Sequence, residues 1–485
     1  MKGIYLRLIL KFLGLLSMVL SAFMALSVIW ALIDWDKHAL RTFMLSLIIV
    51  LGAGLLLYLP NKTSDHSNIS IKEGYLIVAL TWLSMSFWGA LPYYLSGYFS
   101  NYTDAFFESI SGFTTTGASI LSDIEALPRS ILFWRSTTHW LGGMGIIVLT
   151  LAILPILGVG GMQLFVAEVP GTTPDKLHPH MRETAKRLWG IYLLFTILQS
   201  LLLMLGGMDF FHSINHAFST MATGGFSTQN DSIAGYSPYI QYVIILFMIL
   251  AGISFSLHYF LLRGDVKKVL NNEELKLYFG VIAIFALTLT ASIHILHHIG
   301  LEEAFRQSLF QTVSIATTTG FVTTNYLEWN GSLWFLLFLL MFTGGCIGST
   351  GGGIKMIRIL IFFKNTRVEL KKLIHPMAII PVRLNKKVVP KQIITNFLAF
   401  FLTYIIVFII GAAIMSAYGL DFESSVGASI ATIGNIGPAI GSVGPAENYA
   451  HIPTGGKWVL SFFMLLGRLE LFTVLLLFSP SFWKK

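Results

Sequence analysis

The sequence predicts an all-α polytopic membrane protein, in which four pseudo-symmetric repeats of helix, pore loop and helix surround one central pore, preceded by two extra N-terminal transmembrane helices. Three observations predict this fold. The 485-residue chain is 55% hydrophobic and only 12% charged, whereas a soluble domain has about 25% charged residues. Apolar runs of about 20 residues, the length that crosses a bilayer as a helix, recur along the chain. From the third run onward, a short polar stretch separates the two runs of each pair.

The apolar runs are the predicted membrane-spanning helices, and there are ten of them. They lie at 12–33, 39–59, 74–99, 130–159, 188–208, 239–262, 277–299, 332–363, 393–418 and 456–480. The first run follows Lys2, Arg7 and Lys11, as in a signal peptide, but it is too long for the apolar core of one. We therefore expect it to remain as a helix. The single cysteine, Cys346, excludes an intramolecular disulfide framework, and we interpret it as a packing residue.

The basic residues predict the orientation of the chain. Cytoplasmic loops of membrane proteins carry an excess of lysine and arginine. With the N-terminus and C-terminus both in the cytoplasm, ten spans place most of the 32 basic residues on that side and most of the 24 acidic residues on the other. An acidic external face raises the local concentration of cations, although proteins that transport nothing also have acidic external loops.

The polar stretches are internal repeats, each beginning with an acid and containing Thr-x-Gly. They read "DAFFESISGFTTTGAS" (104–119), "DFFHSINHAFSTMATGGFST" (209–228), "EEAFRQSLFQTVSIATTTGFVT" (302–323) and "DFESSVGASIATIGNIGP" (421–438). An acid suits the N-terminus of a helix. The predicted units are an N-terminal helix pair at 1–69 and repeats at 70–160, 161–265, 266–388 and 389–485.

Each stretch is too short and too polar to cross a membrane, so we predict four re-entrant loops that meet on one axis. Irregular backbone at membrane depth is tolerated where it lines a water-filled cavity. The alternative for any single stretch is an external loop with a glycine turn. The repeats align four glycines, each with a threonine two residues before it: Thr115 and Gly117, Thr223 and Gly225, Thr318 and Gly320, and Thr432 and Gly434. Glycine permits a positive φ, so successive carbonyls can face the axis, and rings of carbonyls replace the hydration shell of potassium.

Four repeats with "TTTGA", "ATGGF", "TTTGF" and "TIGNI" at equivalent places resemble the Trk/Ktr/HKT superfamily of potassium transporters. The two extra N-terminal helices make the chain most similar to the TrkH family within it. The resemblance implies potassium uptake across the bacterial inner membrane and no enzymatic activity. It implies a potassium-binding selectivity filter formed by Thr115, Thr116, Gly117, Thr223, Gly224, Gly225, Thr318, Thr319, Gly320, Thr432, Ile433, Gly434 and Asn435.

The resemblance also implies partners. TrkH-like proteins form homodimers and bind a cytosolic nucleotide-binding ring, TrkA, so the nucleotide is expected only on that partner. No tightly bound cofactor and no nucleic acid are expected, and membrane lipid surrounds the chain. The connection 354–391, with ten basic residues and the single acid Glu369, is one candidate contact, and those near 160–187 and 263–276 are others. The alternative is that the basic residues of these connections set the membrane orientation and attract anionic lipid headgroups.

A second glycine cluster, "FTGGCIGSTGGGIKMIR" (342–358), interrupts the second span of the third repeat. It is not a phosphate-binding loop, because Ile354 separates Gly353 from Lys355 and no strand precedes it. Each glycine destabilises a helix by about 1 kcal/mol, so we expect a mobile, unwound loop at 343–353. The resemblance implies that this loop is a gate. Its glycines are Gly344, Gly345, Gly348, Gly351, Gly352 and Gly353. Close helix packing through small residues is the alternative.

Arg468 is the only basic residue centred in a predicted span. A charge at that depth costs at least about 2.5 kcal/mol, so it normally faces a cavity or a partner. Glu470 is a poor partner within the helix, because residues two apart do not share a face. We therefore predict that Arg468 points into the pore, holds carbonyls of the glycine-rich loop and acts with it as the gate. A buried structural pair with Glu470 or with a neighbouring helix is the alternative.

Two other classes of function stay open from the sequence. An alternating-access symporter, coupling potassium to protons or sodium, also has broken helices, but it ordinarily has two repeats, often inverted. An intramembrane enzyme or metal site could use the histidines of "HILHH", His294, His297 and His298, whose spacing suits a metal on one helical turn. Their position at the end of a span is explained more simply by the membrane interface.

Overall fold

The computed structural model describes residues 5–63, 71–145 and 181–484. It begins with two antiparallel helices, Leu6–Ile33 and Lys37–Tyr58. The side chain of Asp36 caps the second helix by accepting hydrogen bonds from two backbone N–H groups. The two helices pack closely, since a Cβ on Gly14 would lie 2.7 Å from the carbonyl oxygen of Gly54. Trp30 of the first helix packs edge-on against Phe211, which joins this pair to the repeats.

Four repeats follow, each with a first helix, a pore helix and a second helix. The first helices are Ile71–Gly89, Met181–Leu205, Glu273–His297 and Lys391–Ala417. The pore helices are Tyr102–Phe113, Phe210–Met221, Leu301–Ala316 and Phe422–Gly434. The second helices are Arg129–Trp140, Pro238–Gly252, Gly331–Leu340 and Thr454–Arg468. The predicted all-α fold with four repeats and two preceding helices is thus confirmed.

The second helices differ from the prediction, because each of them departs from α-helical geometry partway along the span. In the first repeat a π-helical turn, Leu141–Gly145, follows the helix. In the second, a bend of 100° leads into the half-helix Phe255–Leu262, and in the fourth, a bend of 111° leads into Phe472–Phe478. In the third, the glycine-rich segment separates the helix from Met356–Ile374. The predicted spans at 239–262 and 456–480 are therefore bent pairs of helices and not single straight helices.

Six helices of the described residues are long and apolar enough to cross a membrane, and the two bent pairs raise this number to eight. The remaining two predicted spans are 332–363, which the glycine-rich segment interrupts, and 130–159, which continues outside the described residues. The predicted boundaries at 69/70 and 160/161 also lie outside them. Tertiary contacts hold the bend of repeat 2, because the carbonyl oxygen of Gly252 accepts a hydrogen bond from the N–H of Cys346, and the N–H of Phe255 donates to the carbonyl of Gly348.

The predicted cytoplasmic connection 354–391 contains regular structure. The helix Met356–Ile374 is followed by an antiparallel hairpin of Arg383–Leu384 with Lys387–Val388. A small apolar cluster lies beneath it, formed by Ile361, Val382, Val389 and Phe397. The side chain of Glu273 ties this unit to the third repeat, because it accepts hydrogen bonds from the Lys364 ammonium at 2.6 Å and from the Asn385 N–H at 2.9 Å. Short helices complete the described chain at Leu91–Leu95, Val266–Leu270 and Pro480–Trp483.

Candidate functional site

The four pore helices begin at the predicted external side and end deep within the protein. Three of them have a side-chain cap at the N-terminus, from Asn101, Asp209 and Asp421. The third has no such cap, but Glu302 and Glu303 lie in its first turn, where they complement the helix dipole. Each helix therefore starts in a polar environment and carries its C-terminal end into the buried centre of the molecule.

The backbone makes the same turn after each pore helix. The first residue of the turn has a left-handed conformation: Thr115 (φ 52°), Thr223 (φ 53°), Thr318 (φ 59°) and Asn435 (φ 53°). In every repeat, the N–H of the second residue of the turn donates a hydrogen bond to the carbonyl five residues before it. These bonds run from Thr116 to Ser111, Gly224 to Ser219, Thr319 to Ser314 and Ile436 to Ala431. A glycine with positive φ follows: Gly117, Gly225, Gly320 and Gly437. We call these four three-residue turns (115–117, 223–225, 318–320 and 435–437) the ring segments.

This register corrects the fourth repeat. Gly434 was predicted to be equivalent to the other three glycines, but it is the last residue of the pore helix. Thr432 is also helical, and its hydroxyl donates to the carbonyl of Ala428 at 2.7 Å. The equivalent residues are Asn435 and Gly437. Asparagine tolerates the left-handed conformation better than most residues, so the pattern Asn-x-Gly was the signal that a search for Thr-x-Gly missed.

The four ring segments close into a circle. A Cβ placed on each ring glycine would lie under 3.0 Å from a backbone carbonyl oxygen of the next repeat. The pairs are Gly117 with Gly224, Gly225 with Thr319, Gly320 with Ile436 and Gly437 with Thr116. Two features therefore favour glycine at each of these positions. The backbone has a positive φ, and the backbone of the next repeat leaves no space for a Cβ. Four main-chain segments contact one another in cyclic order around one axis.

The ring is not fourfold in its side chains. In the first and third repeats, paired hydroxyls hydrogen-bond within the turn, Thr114 with Thr116 at 2.8 Å and Thr317 with Thr319 at 2.7 Å. In the fourth, the side-chain amide of Asn435 donates to the hydroxyl of Thr116 across the repeat boundary at 2.9 Å.

Gly224 of the second repeat stands where the first and third repeats have Thr116 and Thr319. It is a glycine because His139 occupies the space that a side chain would need. A Cβ on Gly224 would lie under 3.0 Å from the His139 ring. That ring stacks on Phe226, with centroids 4.0 Å apart.

A buried ion pair of the first repeat lies against the second repeat, beside the ring. Arg135 and Glu108 are 2.8 Å apart and fully enclosed. Arg135 also donates to the carbonyl of Ser227 at 3.1 Å and lies 4.0 Å from the centre of the Phe226 ring. Glu108 accepts a hydrogen bond from Ser119. The sequence analysis counted both charges as external; the absence of any hydropathy signal for a buried pair explains why they were missed.

A second buried ion pair joins the first and fourth repeats. The ammonium of Lys457, in the second helix of repeat 4, lies 2.6 Å from the carboxylate of Asp104 in the first pore helix. Breaking a buried pair by removing one partner typically costs 3–5 kcal/mol, since the other charge is left uncompensated. Repeat 1 is therefore held to repeat 4 by this pair, and to repeat 2 by the contacts of Arg135 with Ser227 and Phe226.

The glycine-rich loop 343–353 lies against the C-terminal ends of three pore helices. The N–H of Gly352 donates to the Thr318 hydroxyl at 2.7 Å, and the Thr350 hydroxyl donates to the carbonyl of Met221 at 3.0 Å. A Cβ on Gly352 would lie 2.5 Å from the carbonyl oxygen of Gly434. Two further glycines of the loop, Gly348 and Gly353, have positive φ. The loop is unwound, as predicted, and it lies directly beside the ring; its glycines allow that close approach.

Arg468 ends the second helix of repeat 4 next to this loop. Its guanidinium donates to the carbonyl of Thr350 at 2.6 Å, and to the carbonyls of Gly142 and Gly143 in repeat 1. Arg468 therefore contacts one carbonyl of the glycine-rich loop, in line with the sequence expectation, and its role in a gate stays a prediction. Glu470 contacts Arg358.

The carboxylate of Glu274 contacts both the glycine-rich loop and the helix that follows it. It accepts hydrogen bonds from the N–H of Ile347 at 2.7 Å and from the N–H of Ile357 at 3.2 Å. Glu274 is buried at the start of the first helix of repeat 3. The sequence analysis missed it because it read as an ordinary acid in a cytoplasmic connection.

The predicted external surface carries acidic groups near repeats 1 and 2. Asn230 donates its side-chain amide to Asp123 at 3.0 Å and its N–H to Glu125 at 3.0 Å. The hydrogen bond from Asn230 lowers the pKa of Asp123 below its ordinary value, so this carboxylate stays ionised. The external face therefore carries fixed negative charge.

The histidine cluster of "HILHH" does not form a metal site. His294 contacts the carbonyl of Ile299 at 2.7 Å, and His298 ends the helix in a left-handed conformation. Throughout 5–63, 71–145 and 181–484, no three histidine, cysteine or acidic residues lie close enough to hold a metal ion. The position of these histidines at a helix end is sufficient to explain them.

Re-entrant pore helices, broken second helices and a closed ring of backbone segments define a pore-loop membrane protein of pseudo-fourfold symmetry. The family model described as "TrkH: Cation transport protein" matches residues 39–485. The chain is 43% identical over 485 residues to the Trk system potassium uptake protein TrkH of Salmonella typhimurium, covering 99% of both chains. It is 33% identical to the Trk system potassium uptake protein TrkG of Escherichia coli strain K12, covering 93% of both.

A solved structure gives the same result. The crystal structure of the potassium transporter TrkH from Vibrio parahaemolyticus is similar to this protein, with a TM-score of 0.88, 37% sequence identity and coverage of 99% of both chains. The chain belongs to the TrkH family of cation transport proteins. The family transports cations and is not a family of enzymes, so the intramembrane enzyme considered from the histidines is set aside.

Proposed function

We propose that this protein takes up potassium across the bacterial inner membrane, and that the ring segments are its selectivity filter. The observation that carries the proposal is the closed circle of main-chain contacts, in which each ring glycine faces a carbonyl of the next repeat. Backbone carbonyls in such a circle replace the water around a dehydrated potassium ion. The names of the relatives, which are potassium uptake proteins and a potassium transporter, support the same ion.

The proposed filter differs from the sequence prediction only in the fourth repeat. Asn435 of the predicted set is retained, and Ile436 and Gly437 take the place of Thr432, Ile433 and Gly434, because residues 435–437 have the backbone conformation of the other three turns. The fixed external carboxylates, such as Asp123, concentrate cations at the entrance. Entry is then driven by the membrane potential, which contributes about 2.3 kcal/mol per charge for each 100 mV.

We propose that the glycine-rich loop and Arg468 form the gate. The loop contacts the ring segment of repeat 3 through Gly352, and Arg468 holds it through Thr350. A guanidinium at this depth also repels a cation that leaves the filter. The path opens when the loop moves away from the ring, and it closes when Arg468 and the ring hold the loop again.

The partners belong to the same proposal. The protein is a homodimer in the membrane, with both termini in the cytoplasm, and a TrkA-like ring carries the regulatory nucleotide. The unit that follows the glycine-rich loop, the helix Met356–Ile374 with its hairpin, is the proposed contact. It is continuous with the loop, so a force on this unit reaches the gate directly.

The proposal is tested by rubidium uptake into vesicles that contain the purified protein, with an imposed voltage and competing sodium. We expect uptake that follows the voltage, persists without a proton or sodium gradient, and is reduced less by sodium than by potassium. Uptake that requires a proton or sodium gradient would instead identify an alternating-access symporter. Equal competition by sodium and potassium would contradict the filter.

A further inference from the structure

A groove opens at the predicted cytoplasmic ends of two helices of repeat 2. It lies between the first helix, Met181–Leu205, and the half-helix Phe255–Leu262, and has a volume of about 300 Å³. One end of the groove is polar, with Arg187, Arg263 and Tyr259. Ile191, Leu194 and Leu262 line the rest. The groove is therefore amphipathic along its length.

The polar end concentrates positive charge. Arg187 donates a hydrogen bond to the hydroxyl of Tyr259. The guanidinium carbon of Arg187 lies 5.2 Å from the centre of the Tyr259 ring, and that of Arg263 lies 5.0 Å from it. Among the residues whose side chains the structure describes, neither arginine forms an ion pair with a carboxylate. Two guanidinium groups that share one aromatic ring form a site suited to an anion.

The apolar part of the groove is open to the side. Leu194 is 49% exposed and Leu262 is 62% exposed. Gly190 adds to the opening, because a Cβ on it would meet no atom within 4 Å. Leu194 lies on a helix that is long and apolar enough to cross a membrane, so the exposed surface beside it faces acyl chains rather than water.

We propose that this groove binds an anionic phospholipid of the cytoplasmic leaflet. The lipid phosphate lies between Arg187 and Arg263, and one acyl chain follows the surface of Ile191, Leu194 and Leu262. A soluble anion would use the arginines but would leave the apolar surface uncovered. Basic pockets between membrane helices on the cytoplasmic side have the chemistry that recognises anionic lipid headgroups.

The lipid site is connected to the glycine-rich loop. The half-helix that carries Tyr259 begins at Phe255, whose N–H donates to the carbonyl of Gly348 at 3.1 Å. On the other side of the bend, the carbonyl of Gly252 accepts a hydrogen bond from Cys346 at 2.8 Å. A bound lipid therefore fixes one end of a short helix whose other end contacts the loop. The effect on transport rests on the proposed gate, whereas the binding of lipid does not.

Lipid binding is tested by titrating phosphatidylglycerol into the purified full-length protein in a zwitterionic detergent and counting bound lipids by native mass spectrometry. Each arginine contributes about 1 kcal/mol to attraction of an anionic lipid, or about fivefold in affinity. We expect about fivefold weaker binding in Arg263→Gln and about 25-fold in the double variant with Arg187→Gln. Arg7→Gln, which changes an exposed arginine of the same predicted side outside the proposed partner contacts, should bind as the unchanged protein does.

Two further measurements, a double lysine variant and competition by inorganic phosphate, distinguish a lipid site from a site for a soluble anion. Replacing both arginines by lysine keeps the charge and should retain most of the binding, and it remains informative if the double glutamine variant does not fold. Inorganic phosphate should fail to displace the lipid; displacement at equal concentration would show a soluble-anion site and would overturn the proposal. Equal binding by the folded Arg263→Gln variant and the unchanged protein would also overturn it.

The effect on transport is measured as rubidium flux in vesicles of phosphatidylcholine with and without phosphatidylglycerol. We expect the anionic lipid to change the flux of the unchanged protein and of Arg7→Gln, and to leave that of the double glutamine variant unchanged. An equal lipid effect in all three would overturn the link to the gate. An absence of flux in every vesicle would contradict the proposed function and leave the binding result standing.

Discussion

The hydroxyl of Thr318 accepts a hydrogen bond of 2.7 Å from the backbone N–H of Gly352. This bond joins a ring segment to the glycine-rich loop, two parts of the chain that the sequence places 34 residues apart. The position of the loop and the geometry of the ring are therefore not independent, because a hydroxyl of the ring segment binds the backbone of the loop.

Replacing Thr318 by valine removes this acceptor and leaves the shape of the side chain nearly unchanged. A buried donor without a partner costs about 1–3 kcal/mol, so the loop loses that much of its attachment to the ring. We expect rubidium leak in vesicles to rise by about fivefold or more. Thr318→Ser keeps the hydroxyl and should behave as the unchanged protein.

Thr115→Val is the matched control for the ring itself. Thr115 has the same left-handed turn, but its hydroxyl has no hydrogen-bond partner within the described residues. Its replacement should leave the leak unaltered. A rise of the same size in both valine variants would assign the effect to the ring and not to the loop.

The corrected register of repeat 4 distinguishes two glycines that are three residues apart. Gly437 has a φ of 94°, whereas Gly434 is helical. An alanine at 437 would be held in the left-handed conformation, which costs about 1–2 kcal/mol for a residue with a Cβ. Its Cβ would also lie 2.7 Å from the carbonyl oxygen of Thr116. We expect Gly437→Ala to lower discrimination against sodium by about tenfold, as measured by the ratio of potassium to sodium permeability.

Gly434→Ala should change the same ratio much less, since a Cβ there would have its nearest neighbours at 3.0 Å in the flexible side chain of Ile436. If Gly434→Ala abolishes discrimination while Gly437→Ala retains it, the register derived from the backbone is wrong and the sequence alignment of Thr-x-Gly is right.

Replacing Arg468 by alanine removes hydrogen bonds to Thr350, Gly142 and Gly143. A hydrogen bond to a charged group contributes about 1.5–3 kcal/mol, so the closed position of the loop loses a large part of its stability. We expect rubidium flux to rise by about tenfold. Lysine keeps the charge without the forked geometry and should give an intermediate flux. Unaltered flux in both variants, with normal expression, would remove Arg468 from the gate.

Cys346 provides a direct measurement of loop movement, because it is the only cysteine of the chain and is buried in the loop. Glu274 holds the N–H groups of Ile347 and Ile357. We expect Glu274→Ala to increase the rate of maleimide labelling of Cys346 by about tenfold, given 1.5–3 kcal/mol for each hydrogen bond to a charged group. Equal rates in the variant and the unchanged protein would show that Glu274 does not restrain the loop.

Glu273→Ala is the matched control for this experiment. The neighbouring carboxylate binds Lys364 and the N–H of Asn385 in the hairpin unit, and not the loop. Its removal should leave the labelling rate of Cys346 close to that of the unchanged protein. Faster labelling in both variants would mean that loosening the first helix of repeat 3, rather than the loop contact, exposes the cysteine.

The fold was predictable because its signals are local. A run of about 20 apolar residues predicts a helix without reference to any other part of the chain, and four Thr-x-Gly stretches between paired runs indicate four repeats. Arg468 was also predictable, since a lone charge in a span requires a partner. The sequence could not identify which carbonyls it contacts, because Gly142 lies more than 300 positions away.

The remainder depends on contacts between distant segments. Gly252 and Ser254 permit the bend in repeat 2, but the bonds to Cys346 and Gly348 that accompany it join distant parts of the chain. The burial of Arg135 and Glu108 could not be predicted, because it depends on how repeat 1 packs against repeat 2. Asn435 was not recognised as the counterpart of the ring threonines, because the shared feature is its left-handed backbone conformation and not its side chain.

The departure of each second helix from regular geometry divides the protein into two layers. The pore helices and the ring segments lie in one layer with the intact halves of the second helices. The half-helix Phe255–Leu262 and the helix Met356–Ile374 belong to the other. Rotating a segment of the second layer about its break does not require any helix of the first to turn with it. A movement in the second layer therefore reaches the ring segments only through cross-layer contacts, such as the bond between Gly352 and Thr318, so the number and strength of those few contacts set how much of the movement the ring receives.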